Sequence, residues 1–155
     1  MEQIRVLLVD QQPIVRQGLR QLLAQAPEIV VVGEAADGRE ALELAGKLMP
    51  DVLLLEMELP ALDGAQAARR RREGGARPRV LVLSASAGGE YIAGALEAGA
   101  AGYLLNDEDP ALILDAVRGV ASGAGSGFSR RVAERVGELA MAALALHERN
   151  SLTGR

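Results

Sequence analysis

Short, nearly continuous apolar runs alternate along the chain with segments whose apolar residues recur at helical spacing. The runs are typical of strands buried on both faces, as in a parallel sheet, and they cover residues 4–9, 29–32, 51–55, 79–83 and 102–105. The segments between and after them predict helices, which cover residues 13–26, 38–48, 64–73, 90–98 and 110–121. The alternation predicts an α/β fold, a doubly wound five-stranded parallel sheet with right-handed crossovers.

Polar residues follow three of these runs. The first run is followed by Asp10 and Gln11, the third by Glu56 and the fourth by Ser84. Ligands and chemistry in an open α/β sheet collect at the carboxyl ends of the strands. We therefore expect these four side chains to surround one crevice, with Glu56 at its centre.

The composition changes after the fifth predicted helix. Residues 123–128, rich in glycine and serine, predict a flexible linker. Ser129 suits the N-cap of a sixth helix, predicted over residues 129–148. Its apolar stripe consists of Val132, Val136, Leu139, Ala140, Ala143 and Leu146. Such a stripe needs a partner, and three stay open: the domain itself, a second copy of the chain or a further module.

Composition and charge narrow the classes of function. With 155 residues, 49% of them hydrophobic, the chain can form one full core and a short appendage. A net charge of −4 argues against a nucleic-acid-binding face on this segment itself. The absence of cysteine excludes disulfides and cysteine metal sites, and no apolar run approaches the roughly 20 residues of a membrane helix. We expect a cytoplasmic protein without a membrane partner.

Four stretches of the sequence are distinctive: RVLLVD (5–10), VGEAADG (32–38), PDVLLL (50–55) and AGAAGYLL (98–105). In this order they resemble the receiver domain of bacterial response regulators (CheY-like), in the subfamily of LuxR/NarL-type transcriptional regulators. The resemblance implies a flavodoxin-like fold with strand order 2-1-3-4-5, and it assigns residues 1–122 to the receiver domain. Residues 149–155 resemble the start of the family's helix-turn-helix output domain, here truncated.

The resemblance also implies a phosphorylation site. Known receivers phosphorylate an aspartate after strand three. Two acids after strand one help to hold Mg²⁺, while a serine or threonine after strand four and a lysine after strand five engage the phosphoryl group. In this chain Asp10 matches the first acid, Ser84 the hydroxyl and Tyr103 the aromatic switch residue on strand five.

Three positions depart from that pattern, since Gln11 replaces the second acid, Glu56 the phosphoacceptor and Asn106 the lysine. Glu56 extends its carboxylate by roughly 1.5 Å, one carbon–carbon bond, which misplaces the nucleophile for in-line attack. Gln11 is a neutral metal ligand, and Asn106 has no cation to offer. Lys47, the only lysine in the chain, lies on the second predicted helix, away from the crevice. We expect this receiver not to depend on phosphorylation.

The same departures weaken the expected metal site. We expect no enzyme, no catalytic residue and no cofactor. Any Mg²⁺ would bind weakly, through Asp10, Glu56 and the backbone carbonyl of Glu58. A phosphoryl group carries about −1.5 to −2 charge, so Glu56 would imitate it only in part, by reaching toward Ser84 or Asn106.

The resemblance implies a DNA-binding transcriptional regulator of the two-component type that forms a homodimer and binds DNA through its output domain. Whether a histidine kinase acts on it stays open. One alternative is a receiver that still responds to phosphate or Mg²⁺ through its residual acids. A second is a flavodoxin-like ligand-binding domain, although residues 11–13 lack the glycine and hydroxyl groups of a flavin phosphate loop. A small phosphotransfer or hydrolase enzyme, the third, would need an aspartate nucleophile.

Overall fold

A computed structural model describes residues 2–60, 63–73, 77–123 and 127–153. Within these residues the predicted alternation of strands and helices is confirmed. The elements are β1 (Ile4–Val9), α1 (Pro13–Leu23), β2 (Ile29–Ala35), α2 (Gly38–Leu48), β3 (Val52–Leu55), α3 (Gly64–Glu73), β4 (Arg79–Ser84), α4 (Gly89–Glu97), β5 (Gly102–Leu105), α5 (Pro110–Ser122), β6 (Gly127–Phe128) and α6 (Arg130–Thr153). No helix in this described part of the chain is long and apolar enough to cross a bilayer.

The sheet is parallel between all neighbours, and its strands lie in the order β2-β1-β3-β4-β5-β6. The predicted order of the first five strands is therefore confirmed. Every residue of β3 is buried, because helices cover both faces of the sheet. Helices α1 and α5 pack on one face, and α2, α3, α4 and α6 pack on the other.

The sequence pattern missed β6. Residues 127–128, predicted as part of a flexible linker over 123–128, pair with Gly102 and Tyr103 of β5 instead. The backbones approach so closely that a Cβ on Gly102 would lie 2.5 Å from the Cα of Gly127, so the contact requires glycine. The five-stranded prediction is thus corrected to six strands; residues 124–126 of the predicted linker lie outside the described residues.

Helix α6 is longer than predicted, and only its first part packs on the domain. Residues 149–153, predicted to begin an output domain, continue the helix to Thr153; residues 154–155 lie outside the described part. Val132 is fully buried, and Val136 and Leu139 pack against the same core. The other members of the predicted stripe are exposed: Ala140, Ala143 and Leu146. The domain itself is therefore the partner of the first half of the stripe.

Candidate functional site

A crevice of about 770 Å³ opens at the carboxyl ends of the central strands. It brings together four of the residues predicted to share a site: Asp10, Gln11, Glu56 and Asn106. Five acids line it within the described structure: Asp10, Glu56, Glu58, Asp63 and Glu90. Among its described lining residues there is no lysine, arginine or histidine. The crevice is therefore a strongly negative environment.

Glu56 lies at the centre of this crevice and is 9% exposed. Its Oε2 accepts hydrogen bonds from the backbone N–H of Met57 at 2.6 Å and, more weakly, of Glu58 at 3.5 Å. Its Oε1 accepts one from the backbone N–H of Ala85 at 3.3 Å. The carboxylate thus joins the end of β3 to the loop that follows β4.

The predicted reach of Glu56 toward Ser84 or Asn106 is corrected by these contacts. Its hydrogen bonds within the described structure go to backbone N–H groups, two of them on the next two residues of the chain, Met57 and Glu58. The additional methylene of glutamate allows the carboxylate to fold back over its own backbone. Ala85 N–H, the first donor beyond Ser84, then lies within reach of the second oxygen.

Gly64 fixes the backbone on which Glu56 sits, and the sequence interpretation missed this residue. Its N–H donates to the carbonyl of Met57 at 3.0 Å. A Cβ at Gly64 would lie 2.6 Å from the carbonyl oxygen of Glu56 and 2.7 Å from the Cα of Met57. The signal in the sequence is a glycine directly after Asp63, whose carboxylate caps α3 by accepting from Gln66 N–H at 2.9 Å.

Asp10 is the second buried acid of the crevice, with 6% exposure. Its Oδ1 accepts a hydrogen bond from the backbone N–H of Gln12 at 2.8 Å. Burial raises the pKa of Asp10 above its ordinary value, while the Gln12 N–H and the nearby charge of Arg16 act in the opposite direction. Keeping Asp10 ionised therefore lowers the free energy of unfolding of the domain.

The carboxylates of the crevice are not arranged as a ready Mg²⁺ site. Both oxygens of Glu56 face N–H groups, and one oxygen of Asp10 does the same. No group of three or more acids or histidines in the described chain is arranged to hold a metal ion. The carboxylate of Glu58 accepts a hydrogen bond from the Tyr91 hydroxyl, which raises the pKa of that phenol. Weak Mg²⁺ binding stays a prediction.

Ser84 and Tyr103 lie beneath the crevice rather than on its surface, and both are fully buried. The Tyr103 hydroxyl donates to the carbonyl of Ser86 at 2.6 Å, and the Ser84 hydroxyl accepts from Ser86 N–H at 3.2 Å. Burial raises the pKa of Tyr103, although a hydrogen bond with Ser84 lowers it in part. The aromatic residue is thus turned inward and holds the loop after β4.

Asn106, at the position predicted for a lysine, is exposed, and its backbone N–H donates to the carbonyl of Ser84. The acids after it perform three different roles. Asp107 pairs with Arg131 at 2.7 Å, Glu108 is buried and accepts from Leu105 N–H at 2.7 Å, and Asp109 caps α5. Of these three acids, only Asp109 therefore acts on the first turn of α5.

Lys47 does not replace the missing cation. It lies on α2, where it is exposed and pairs with Glu43 one turn earlier at 3.4 Å. The prediction that the only lysine of the chain lies away from the crevice is confirmed, since Lys47 is not among the described residues that line it.

The order of the strands, the acidic crevice and the inward tyrosine together define a receiver domain of a response regulator. Residues 6–118 match the family described as "Response regulator receiver domain", and the chain belongs to this family. The predicted resemblance is thereby confirmed. The family is regulatory, which favours a receiver over the flavin-binding and hydrolase alternatives.

Curated relatives point to the subfamily of NarL-like regulators. The chain is 40% identical over 122 residues to the nitrate/nitrite response regulator protein NarL of Escherichia coli (strain K12), and 41% identical to the probable transcriptional regulatory protein NarL of Mycobacterium tuberculosis. Each match covers 79% of this chain and 56% of the relative. The chain thus spans little more than half the length of these relatives.

Solved structures agree in fold. The signal receiver domain of the putative response regulator NarL from Mycobacterium tuberculosis superposes with a TM-score of 0.76 at 41% identity, covering 79% of this chain and 99% of that one. A two-component response regulator of the LuxR family from Aurantimonas sp. SI85-9A1 superposes with a TM-score of 0.84 at 34% identity. That match covers 90% of this chain and 99% of the other.

Proposed function

We propose that this chain is the receiver domain of a cytoplasmic, DNA-binding transcriptional regulator, and that it regulates its output module without an aspartate phosphorylation cycle. The observation that carries the proposal is the carboxylate of Glu56, which bridges the backbone of β3 and that of Ala85. This bridge joins the two segments that, in the family pattern, carry the phosphoacceptor and the hydroxyl that engages the phosphoryl group.

The contacts of Glu56 make it a poor nucleophile. In-line attack on a phosphoryl donor needs a carboxylate oxygen in near-contact and correct alignment with the phosphorus atom. The two oxygens of Glu56 are instead engaged by backbone N–H groups of residues 57 and 85. Attack through the oxygen that binds Met57 would leave that buried N–H without its acceptor.

The charge of the crevice opposes a phosphoryl donor as well. Five carboxylates line it, and its described lining residues include no basic side chain. A dianionic phosphate entering this space would meet like charges with no cation to offset them. Asn106 can donate a hydrogen bond, but it cannot neutralise charge.

Residual phosphate or Mg²⁺ chemistry is the second candidate, and Asp10 is the observation that favours it. Its carboxylate is almost fully buried, and burial raises its pKa. A cation next to Asp10 would relieve the cost of keeping this group ionised. This candidate shares the receiver fold with the first and differs only in whether the crevice binds Mg²⁺ or accepts a phosphoryl group.

The partners of the whole regulator belong to the proposal too. We infer that the regulator binds DNA through an output domain of the LuxR/NarL type, since one of the relatives is named a probable transcriptional regulatory protein. The homodimer follows from the family resemblance alone. A histidine kinase is not required by this scheme. The regulated genes would then respond to the amount of the protein or to another ligand.

Intact-mass spectrometry tests the proposal directly. The natural chain and a variant carrying Glu56→Asp, Gln11→Asp and Asn106→Lys are incubated with acetyl phosphate and Mg²⁺, after circular dichroism has shown that both are folded. We expect a phosphoryl adduct on the variant alone. An adduct on the natural chain would overturn phosphorylation independence, and peptide mapping would then place it on Glu56 or Asp10.

A further inference from the structure

Helix α6 follows β6, the short strand that pairs with the strand of the buried Tyr103. Phe128 of β6 pairs with Tyr103, and the N–H of Ser129 donates to the carbonyl of Tyr103 at 3.2 Å. The hydroxyl of Ser129 then accepts from Val132 N–H at 3.2 Å and caps the helix. The first turn of α6 is therefore built directly on β5.

Two arginines of α6 bind the two loops that border the crevice. Arg131 pairs with Asp107, the neighbour of Asn106, at 2.7 Å. Arg135 donates from Nε to the carbonyl of Ala87 at 3.4 Å, in the loop between β4 and α4. These bonds hold the helix to both loops at once.

Apolar contacts complete this docking over less than half of the helix. Val132 is fully buried in the same core cluster as Tyr103. Leu139 packs over the start of α4, where a Cβ on Gly89 would lie 2.9 Å from its Cδ2. Met141 and Leu144, just beyond, are 69% and 59% exposed. Docking thus depends on few contacts, most of them near the crevice loops.

Three consecutive residues of the loop after β4 connect the crevice to α6. Ala85 donates its N–H to Glu56 at 3.3 Å, and the carbonyl of Ser86 accepts from the Tyr103 hydroxyl at 2.6 Å. The carbonyl of Ala87 accepts from Arg135 at 3.4 Å. Consecutive residues of one short loop therefore contact Glu56, Tyr103 and Arg135 in turn, and further hydrogen bonds of Ser86 to Ser84 and Gly88 keep the loop compact.

We propose that α6 is a latch, held on the crevice loops by Arg131 and Arg135, and that residues 85–87 make its docking depend on the contact between Glu56 and Ala85. While Glu56 holds the loop, α6 stays docked and its exposed second half projects in a fixed direction. When that contact is lost, the first turns of α6 loosen. This coupling rests on the proposed function in one respect, namely that the Glu56 carboxylate, and not a phosphoryl group, holds the loop after β4.

Arg130 provides a matched control for this latch. It precedes Arg131 but is 93% exposed and pairs with Glu134 of the same helix at 3.5 Å. Replacing it removes a charge of the same sign from the same turn, so the two arginines differ in whether they contact a crevice loop. A change seen with Arg131→Ala and absent with Arg130→Ala is therefore due to docking.

Hydrogen–deuterium exchange read by mass spectrometry tests the latch on the whole chain. We expect Arg131→Ala and Glu56→Ala each to raise the exchange rate of amides in residues 130–139 severalfold, since local opening governs exchange. Arg130→Ala should leave those rates unchanged. Amides of β1 serve as the internal reference and should keep their slow exchange in every variant, which shows that the domain remains folded.

Tyr103→Phe provides a second variant in case Glu56→Ala unfolds the domain. It keeps the ring and removes the hydroxyl that holds Ser86, so α6 exchange should rise in it as well. Unchanged exchange in α6 for both Glu56→Ala and Tyr103→Phe would overturn the coupling to the crevice. Equal exchange in Arg131→Ala and Arg130→Ala would overturn the latch itself. A phosphoryl adduct on the natural chain would refute phosphorylation independence and leave these exchange results standing.

Discussion

The crevice and the surface that receives α6 are held together by different kinds of contact. In the crevice, the buried carboxylates of Asp10 and Glu56 accept hydrogen bonds from backbone N–H groups. The surface that receives α6, which we call the α6 seat, consists of Ala87, Gly89, Tyr103 and Asp107. Its ion pair is exposed, and the side chain that packs over Gly89 is the flexible end of Leu139, although Val132 nearby is fully buried. We therefore expect the seat to tolerate substitution better than the crevice does.

Two glycines allow this difference to be measured, because each is the first residue of a helix. A methyl group at Gly64 meets the backbone of Glu56 and Met57 at 2.6–2.7 Å, whereas one at Gly89 meets the end of the Leu139 side chain at 2.9 Å. We expect Gly64→Ala to lower the free energy of unfolding by about 1–3 kcal/mol, as overpacking does. Gly89→Ala should cost much less, because a side chain can move.

Urea unfolding of both variants checks this prediction. Gly46→Ala in α2 is the control, since nothing lies within 4 Å of the added methyl group. It should stabilise the domain by up to about 1 kcal/mol, the usual gain of alanine over glycine within a helix. Equal losses in Gly64→Ala and Gly89→Ala would contradict the contrast between a rigid crevice and a yielding seat.

Two adjacent acids after β5 test the same difference between a buried carboxylate bound to backbone N–H and an exposed ion pair of the α6 seat. Glu108 is 8% exposed and accepts from Leu105 N–H, so Glu108→Ala leaves a buried donor unpaired and should cost about 1–3 kcal/mol. Asp107 forms an exposed pair with Arg131, and such pairs contribute about 0–1 kcal/mol. Thermal or urea unfolding of the two variants should rank them in that order, and the reverse order would refute it.

The smallest expected effect concerns Asp10 and depends on pH. Its folded-state pKa is raised by burial, so the folded state binds its proton more tightly than the unfolded state does. The free energy of unfolding therefore falls as the pH rises from the ordinary pKa of aspartate to the raised pKa of Asp10. Above the raised pKa the full cost of burying the ionised carboxylate is present. Asp10→Asn should stabilise the domain at pH 7, with a gain that shrinks as the pH is lowered toward the ordinary aspartate pKa.

Unfolding midpoints of Asp10→Asn and the natural chain across this pH range check the prediction. Asp115→Asn is a suitable control, because Asp115 is an exposed acid of α5 that pairs with Arg118 within the helix. A gain for Asp10→Asn that is the same at every pH would show that the cost lies in packing and not in ionisation.

Sequence reasoning located the crevice because its residues follow buried strands, and the ends of parallel strands meet at one edge of the sheet. The pairing of Glu56 with Ala85 could not be predicted, since it depends on how one carboxylate folds back over its own backbone. The departures at Gln11, Glu56 and Asn106 were visible as residue types, but the contacts of Glu56 were not.

The α6 seat escaped prediction for a different reason. Its contacts join residues far apart in sequence, such as Arg135 and Ala87, and they leave no periodic signal. The glycine-rich composition near residue 127 is typical of a flexible linker, yet here glycine permits the close approach of β6 to Gly102. Of the apolar stripe predicted for α6, only Val132, Val136 and Leu139 pack on the domain, and the periodicity alone could not show where this packing ends.

The two residues of β6 have a consequence for the solubility of the protein. β5 has the sequence Gly-Tyr-Leu-Leu, and without β6 it would be the last strand of the sheet, with unpaired backbone groups along an apolar edge. Such an edge is a template on which a strand of another molecule can add. Because β6 leads directly into α6, any event that pulls the helix away also threatens to uncover this edge. The short strand therefore protects the protein from self-association through its sheet.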